Sequence, residues 1–154
     1  RENREIPPLL YATVYRLKAD FPALRIILNG GIDTLTAVGA HLAAGVDGVM
    51  VGRKAYADPY WLTDVESAFL DRTRTWQRPS RAAIVRAMAD YAEQEMREGV
   101  RLHHITRHML GLYHGRPGAR AWRRFLSTRG GSADAGPELL LESLQMVAGE
   151  DAGF

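Results

Sequence analysis

The residues best placed for chemistry are Asn29-Gly30-Gly31 and Gly52-Arg53, which stop two apolar runs one helix apart. Glycine lets a main-chain N–H approach an oxyanion closely, and a helix starting just beyond adds the positive end of its dipole. Arg53 adds a full charge, and its planar fork can hold two oxygens at once. In parallel α/β folds, ligands collect at the carboxyl ends of the strands. In (β/α) barrels the loops after strands seven and eight form a recurrent phosphate site. If the two runs are the last strands of such a barrel, both glycine stops face one phosphate and Arg53 neutralises it. The plainer alternative is that glycine merely ends each strand and Arg53 lies on the surface. The pairing of the stops favours phosphate. Lys54 either assists there or is simply solvated.

A second feature is the spread of charge. Residues 1–70 carry 7 basic and 8 acidic side chains, and residues 71–129 carry 13 basic and 5 acidic. All 13 are arginine, which suits recognition of phosphates, although a solvated helical surface explains the same count. Residues 130–154 hold no basic and 5 acidic side chains. Arg120 and Arg123 are three apart and so share a helix face, which Arg116 and Arg124 extend. Trp122 lies among them; it stacks on a base or fills the core, and the core reading is preferred. His104 and His108 are spaced for a metal, but no third ligand matches, so no metal is expected and a helix surface or RNA contact is preferred. Asp47 and Asp58 suit strand-end and turn roles better than acid–base work. The chain has no cysteine, which excludes disulfides, thiolate metal sites and a cysteine nucleophile from these 154 residues.

These residues need elements to hold them. A chain with 46% hydrophobic and 25% charged residues folds. No apolar run nears the ~20 residues of a membrane span, and no signal peptide is visible, so a cytoplasmic setting is expected. The first residue is Arg1 within a charged, proline-containing opening, which reads as a piece of a longer protein. Pro7-Pro8 predicts an extended start. Helical spacing of Leu10, Val14 and Leu17 predicts a helix over 9–19. Residues 23–28 predict a strand buried on both faces, as in a parallel sheet. Asp33 or Thr34 caps a helix with Leu35, Val38 and Leu42 inward, ended by Gly45. Residues 46–51 predict a second buried strand. Helix, strand, helix, strand is the α/β pattern, and two strands are too few to close a barrel.

After Pro59 the pattern is all helix. Helices are expected over 60–70, over 80–98 with Ile84, Ala87, Met88, Tyr91 and Ala92 inward, over 100–112 and over 119–126. Residues 130–137 read as a flexible link, and 138–147 as a last helix. The domain reading is 1–58 for the α/β part, 59–129 for the helical part, and 130–154 for link and acidic tail.

Four motifs carry a family resemblance: "ENREIPPL", "LNGGI", "DGVMVGR.AY..PY" and "RHMLGL..G.PGAR.WRR.LS". They resemble, in order, the C-terminal part of bacterial tRNA-dihydrouridine synthase of the A subfamily, from Arg1 to about Ser127. The resemblance implies a flavoenzyme: the last two β/α units of an FMN-binding TIM-type barrel, then a helical tRNA-binding domain. It implies NADPH as reductant, D-loop uridines at positions 20 and 20a as substrate, and a cysteine general acid outside this chain. It implies that Asn29, Gly30, Gly31, Gly52 and Arg53 hold the FMN phosphate, and that Arg1, Arg4, Arg120 and Arg123 contact tRNA. One residue is added in "AAGVD", which a loop absorbs. The piece alone is expected not to catalyse reduction. The rival readings are a different phosphate-binding barrel enzyme with a helical extension, and a non-catalytic RNA-binding module.

Overall fold

The chain divides after Lys54 into two compact units, earlier than the boundary expected at 58. The computed structural model describes residues 8–71, 73 and 75–147. Arg1, Arg4, Pro7 and the acidic end beyond Val147 therefore lie outside the described residues.

In the first unit, α1 (Tyr11–Asp20) leads to β1 (Ile27–Asn29), α2 (Leu35–Ala43) and β2 (Gly48–Met50). The strands pair in parallel, with Leu28 opposite Val49 and Asn29 opposite Met50. Both strands are shorter than expected, and burial on both faces does not hold. Leu28 is 2% exposed, but Ile27 is 50% exposed. Only Leu28 of the two strands is buried, while Ile27, Asn29 and Met50 are exposed, so among the described residues no layer covers the face that carries them. The inward face of α1 also differs. Leu10 and Leu17 are exposed, whereas Tyr11, Val14, Tyr15 and Lys18 are half-buried at helical spacing. Aromatic hydroxyls and an amine find partners on this side: the Tyr15 hydroxyl meets His41 Nδ1 at 2.6 Å. Thr34, not Asp33, caps α2, its Oγ1 accepting from the Ala37 N–H at 3.1 Å. Val38 and His41 are the buried residues of α2.

Asp47 anchors the entry to the strands. Its carboxylate accepts from the Ile26 N–H at 2.7 Å and pairs with Lys18 at 2.8 Å. The same ammonium donates to the carbonyls of Pro22 and Leu24. The turn role read from the sequence is what the structure displays.

The second unit is helical. α3 (Arg53–Ala57) spans the division, and residues 59–70 form one winding stretch: a 3-10 turn, α4 (Leu62–Val65) and a π turn. Ser80 caps α5 (Arg81–Arg97), its Oγ accepting from the Ala83 N–H at 3.0 Å. Ala82, Val85, Ala89 and Ala92 are its buried residues. Ala87 and Tyr91, expected inward, are exposed. The small alanines set the phase, because they let α8 (Glu138–Ser143) pack closely on α5. α6 (Leu102–Thr106) is far shorter than the expected 100–112 helix. Turns with three-residue hydrogen bonds follow it, such as Met109 N–H to the Thr106 carbonyl, and Gly111 packs so close to the Ala57 carbonyl that a Cβ has no room there. α7 (Ala119–Arg129) precedes the turns of residues 130–137, where Ala135 is buried in the core. α8 and a closing 3-10 turn, Leu144–Val147, complete the core around Trp122, Tyr113 and Leu140.

Candidate functional site

Both strands of the first unit end at one place. β1 ends at Asn29 and β2 at Met50, and these residues are register partners, so the loops that follow emerge side by side. An open cleft of about 470 Å³ lies there, lined by Asn29, Gly30, Gly31, Ile32, Asp33, Met50, Gly52, Arg53 and Lys54. The structure thus brings together all five residues singled out for a phosphate.

The first loop needs glycine for its backbone. Gly30 has φ 132° and Gly31 has φ 63°, values that side-chain-bearing residues rarely adopt. The Tyr11 hydroxyl donates to the Gly30 carbonyl at 2.8 Å, and its ring packs on His41 at 4.5 Å between centroids. α1 and α2 therefore clamp this bend. Sequence reasoning missed Tyr11, Tyr15 and His41 in that role. The available signal was Tyr11 and Tyr15 four apart in a helix expected to be held by leucines.

Gly52 has a different status. A Cβ built there meets no atom within 4 Å, so the fold itself does not demand glycine. The main-chain N–H groups of Gly31 and Gly52 make no main-chain hydrogen bond among the described residues. Arg53 is exposed and has no acidic partner among them, whereas Lys18 and Arg97 are paired with carboxylates. Two cations, Arg53 and Lys54, face a cleft with one carboxylate, Asp33. N–H groups without main-chain partners, room at Gly52 and the Arg53 charge suit an anion.

The second unit carries the arginines. Trp122 is fully buried, with its ring 4.7 Å from that of Tyr113, so it is core. Arg120 and Arg123 lie on the exposed side of α7, as do Arg124 and Arg129. Arg120, Arg123 and Arg124 have no acidic partner among the described residues. Other arginines of the block do structural work. Arg81 stacks 3.7 Å above the Tyr60 ring and donates to the Leu112 carbonyl, and Arg78 pairs with Asp64. His104 and His108 do not share a helix face, because α6 ends at Thr106. His108 Nε2 instead accepts from Arg107 Nε at 3.0 Å. Among the described residues no cluster of three or more His, Asp or Glu gathers to hold a metal, and no helix is long and apolar enough to cross a membrane.

Comparison with known proteins adds a further line of evidence. A family model described as dihydrouridine synthase matches residues 1–148. The chain is 50% identical over 147 residues to a tRNA-dihydrouridine(20/20a) synthase of Shewanella oneidensis, covering 96% of this chain and 43% of that one. It is 50% identical over 148 residues to the protein of that description from Escherichia coli strain K12, covering 96% and 42%. A Synechocystis protein of the same description is 49% identical over 145 residues, covering 94% and 42%. The chain spans less than half the length of these curated relatives.

Proposed function

The chain belongs to the dihydrouridine synthase family, and from that premise we propose that it is the C-terminal portion of an FMN-dependent tRNA-dihydrouridine synthase of the A subfamily. Its substrate is the pair of D-loop uridines at positions 20 and 20a, and its reductant is NADPH. The observation that carries this reading is the single cleft at the carboxyl ends of two parallel strands, holding both glycine stops and Arg53. Residues 1–54 are then the last two β/α units of a TIM-type barrel, and the helical unit from residue 55 is the tRNA-binding part.

FMN supplies the hydride chemistry when bound. This chain's own residues hold its phosphate. The N–H groups of Gly31 and Gly52 would donate to its oxygens, and Arg53 would neutralise their charge. Asn29, at the end of β1, borders the same space. Gly52 keeps that space free of a Cβ. Tyr11 fixes the Gly30 carbonyl, so the donors are oriented before the ligand arrives. The cysteine general acid implied by the resemblance comes from outside these residues, which contain no cysteine.

Arg120 and Arg123 present two guanidinium groups from one side of α7, and the resemblance also assigns Arg1 and Arg4 to tRNA contact. Exposed arginines without carboxylate partners are suited to RNA phosphates, whose binding releases counterions. Filter binding of the chain to a tRNA transcript tests this. Replacing both Arg120 and Arg123 with Ala should weaken binding, and make the slope of log K against log salt shallower by about 2. Unchanged affinity at moderate salt would refute their assignment.

A further inference from the structure

No residue of α6 or of the turns after it has an individual role in the reading above. From Gly99 to Ala133 the chain carries 7 arginines and 4 histidines, with no aspartate or glutamate. Arg120 and Arg123 account for only part of that excess.

α6 buries Leu102, Ile105 and Thr106 and turns its other side outward. Arg101, His104, Arg107 and His108 are exposed there, and His103 is half-buried. Arg101 has no hydrogen-bond or ionic partner among the described residues. Arg107 uses Nε on His108, which leaves the outer N–H groups of its fork for another ligand. His108 in turn meets the Tyr56 ring edge to face at 5.7 Å, and Tyr56 is 60% exposed. Burial, then the charges of His104, Arg101 and Arg107, push the His103 pKa down. Cationic groups thus gather on this surface, and among the described residues none of Arg101, His104, Arg107 and His108 forms an ion pair with a carboxylate.

The place is separate from the Arg120–Arg123 pair. A Cβ built on Gly130 would lie 3.1 Å from Thr106 Oγ1, so the end of α7 abuts the end of α6. At 1.5 Å rise per residue, that end lies about 10 to 15 Å along α7 from Arg123 and Arg120. One surface therefore does not duplicate the other.

We propose that Arg101, Arg107 and the Tyr56–His108 ring pair form a second RNA contact, in which two guanidinium groups hold the backbone of an unpaired strand and a base stacks on the rings. The inference rests on the reading of RNA as the ligand. Two chemistries single out RNA from other polyanions. Guanidinium forks match phosphate oxygens, and an exposed aromatic among them offers a stacking surface that an acidic protein or a lipid headgroup does not need.

Filter binding of the chain compares a tRNA transcript with a blunt RNA duplex, using the Arg120→Ala/Arg123→Ala variant as reference. Arg101→Ala/Arg107→Ala should weaken tRNA binding on the order of tenfold at moderate salt, with a shallower salt slope. Arg101→Lys/Arg107→Lys should recover most of the salt slope. Tyr56→Leu should cost on the order of tenfold on tRNA and leave duplex binding unchanged, because only unpaired bases stack. Tyr56→Phe should behave as wild type and controls for folding. If the reference variant loses affinity while Arg101→Ala/Arg107→Ala and Tyr56→Leu do not, this second contact is wrong and the RNA reading stands. If the unaltered chain binds neither RNA, both fall together.

Discussion

Tyr11→Phe isolates the clamp on the glycine bend. It deletes one oxygen, the hydroxyl that donates to the Gly30 carbonyl at 2.8 Å, and keeps the ring that packs on His41 at 4.5 Å. A neutral hydrogen bond contributes about 1 kcal/mol net, so the bend should open about fivefold more often. Native-state amide hydrogen exchange reads this residue by residue. Exchange at Ala37 and Val38, whose N–H groups are hydrogen-bonded to Thr34 just beyond the bend, should quicken about fivefold, and Val85, Ala89 and Trp122 in the helical unit should not change. Tyr11→Leu also removes the ring packing, worth a further ~0.5–1.5 kcal/mol, and should quicken the same amides more. Equal exchange in wild type and Tyr11→Phe would refute the clamp. Faster exchange throughout the helical unit would show that the substitution acts on global stability instead.

Gly52→Ala should leave the urea midpoint unchanged, because its Cβ meets nothing within 4 Å, while weakening phosphate binding in the cleft; a shifted midpoint with normal phosphate affinity contradicts this. Gly111→Ala should destabilise the helical unit by about 1–3 kcal/mol, since its Cβ would press on the Ala57 carbonyl and on Pro59 Cδ. An unaltered unfolding midpoint would contradict it. Asp47 gives a pH signature. The Ile26 N–H, then the Lys18 ammonium, hold its carboxyl below the ordinary carboxylate value. Its stabilisation is therefore present above the unfolded-state pKa of about 4 and disappears as pH falls through the lower folded value. Asp47→Asn should flatten the acid limb of the stability profile, and an unchanged limb would exclude this carboxylate as its source.

Much of the cleft was legible in the sequence because glycine at the end of a strand has few physical uses. Asn29, Gly30, Gly31, Gly52 and Arg53 line one space, as the spacing of two strand ends implied. Capping was equally local: Ser80 capped α5 as read, and Thr34 was one of two candidates at α2. Packing was less legible. The α1 face was assigned to Leu10 and Leu17, but hydrogen bonds from Tyr11, Tyr15 and Lys18 decided its rotation. In α5, periodicity fitted two adjacent faces, and the closer approach of alanines chose between them. The 100–112 helix was over-read: apolar spacing continues through Met109 and Leu112, but after Thr106 the chain closes three-residue turns that bury both side chains without a regular helix. Burial of both strand faces failed because it depends on neighbours that residues 8–54 do not supply.

The central claim is that the two glycine stops and Arg53 together receive the phosphate of a flavin. Amide NMR spectra of the chain, titrated in parallel with FMN and with riboflavin, test it most directly, because the two ligands differ only by that phosphate. FMN should shift Gly31, Ile32, Gly52 and Arg53 and leave Gly99 and Gly115 in place, riboflavin should not reproduce the pattern, and Arg53→Ala should abolish it. Identical responses to both ligands, or an FMN response indifferent to Arg53→Ala, would contradict the account.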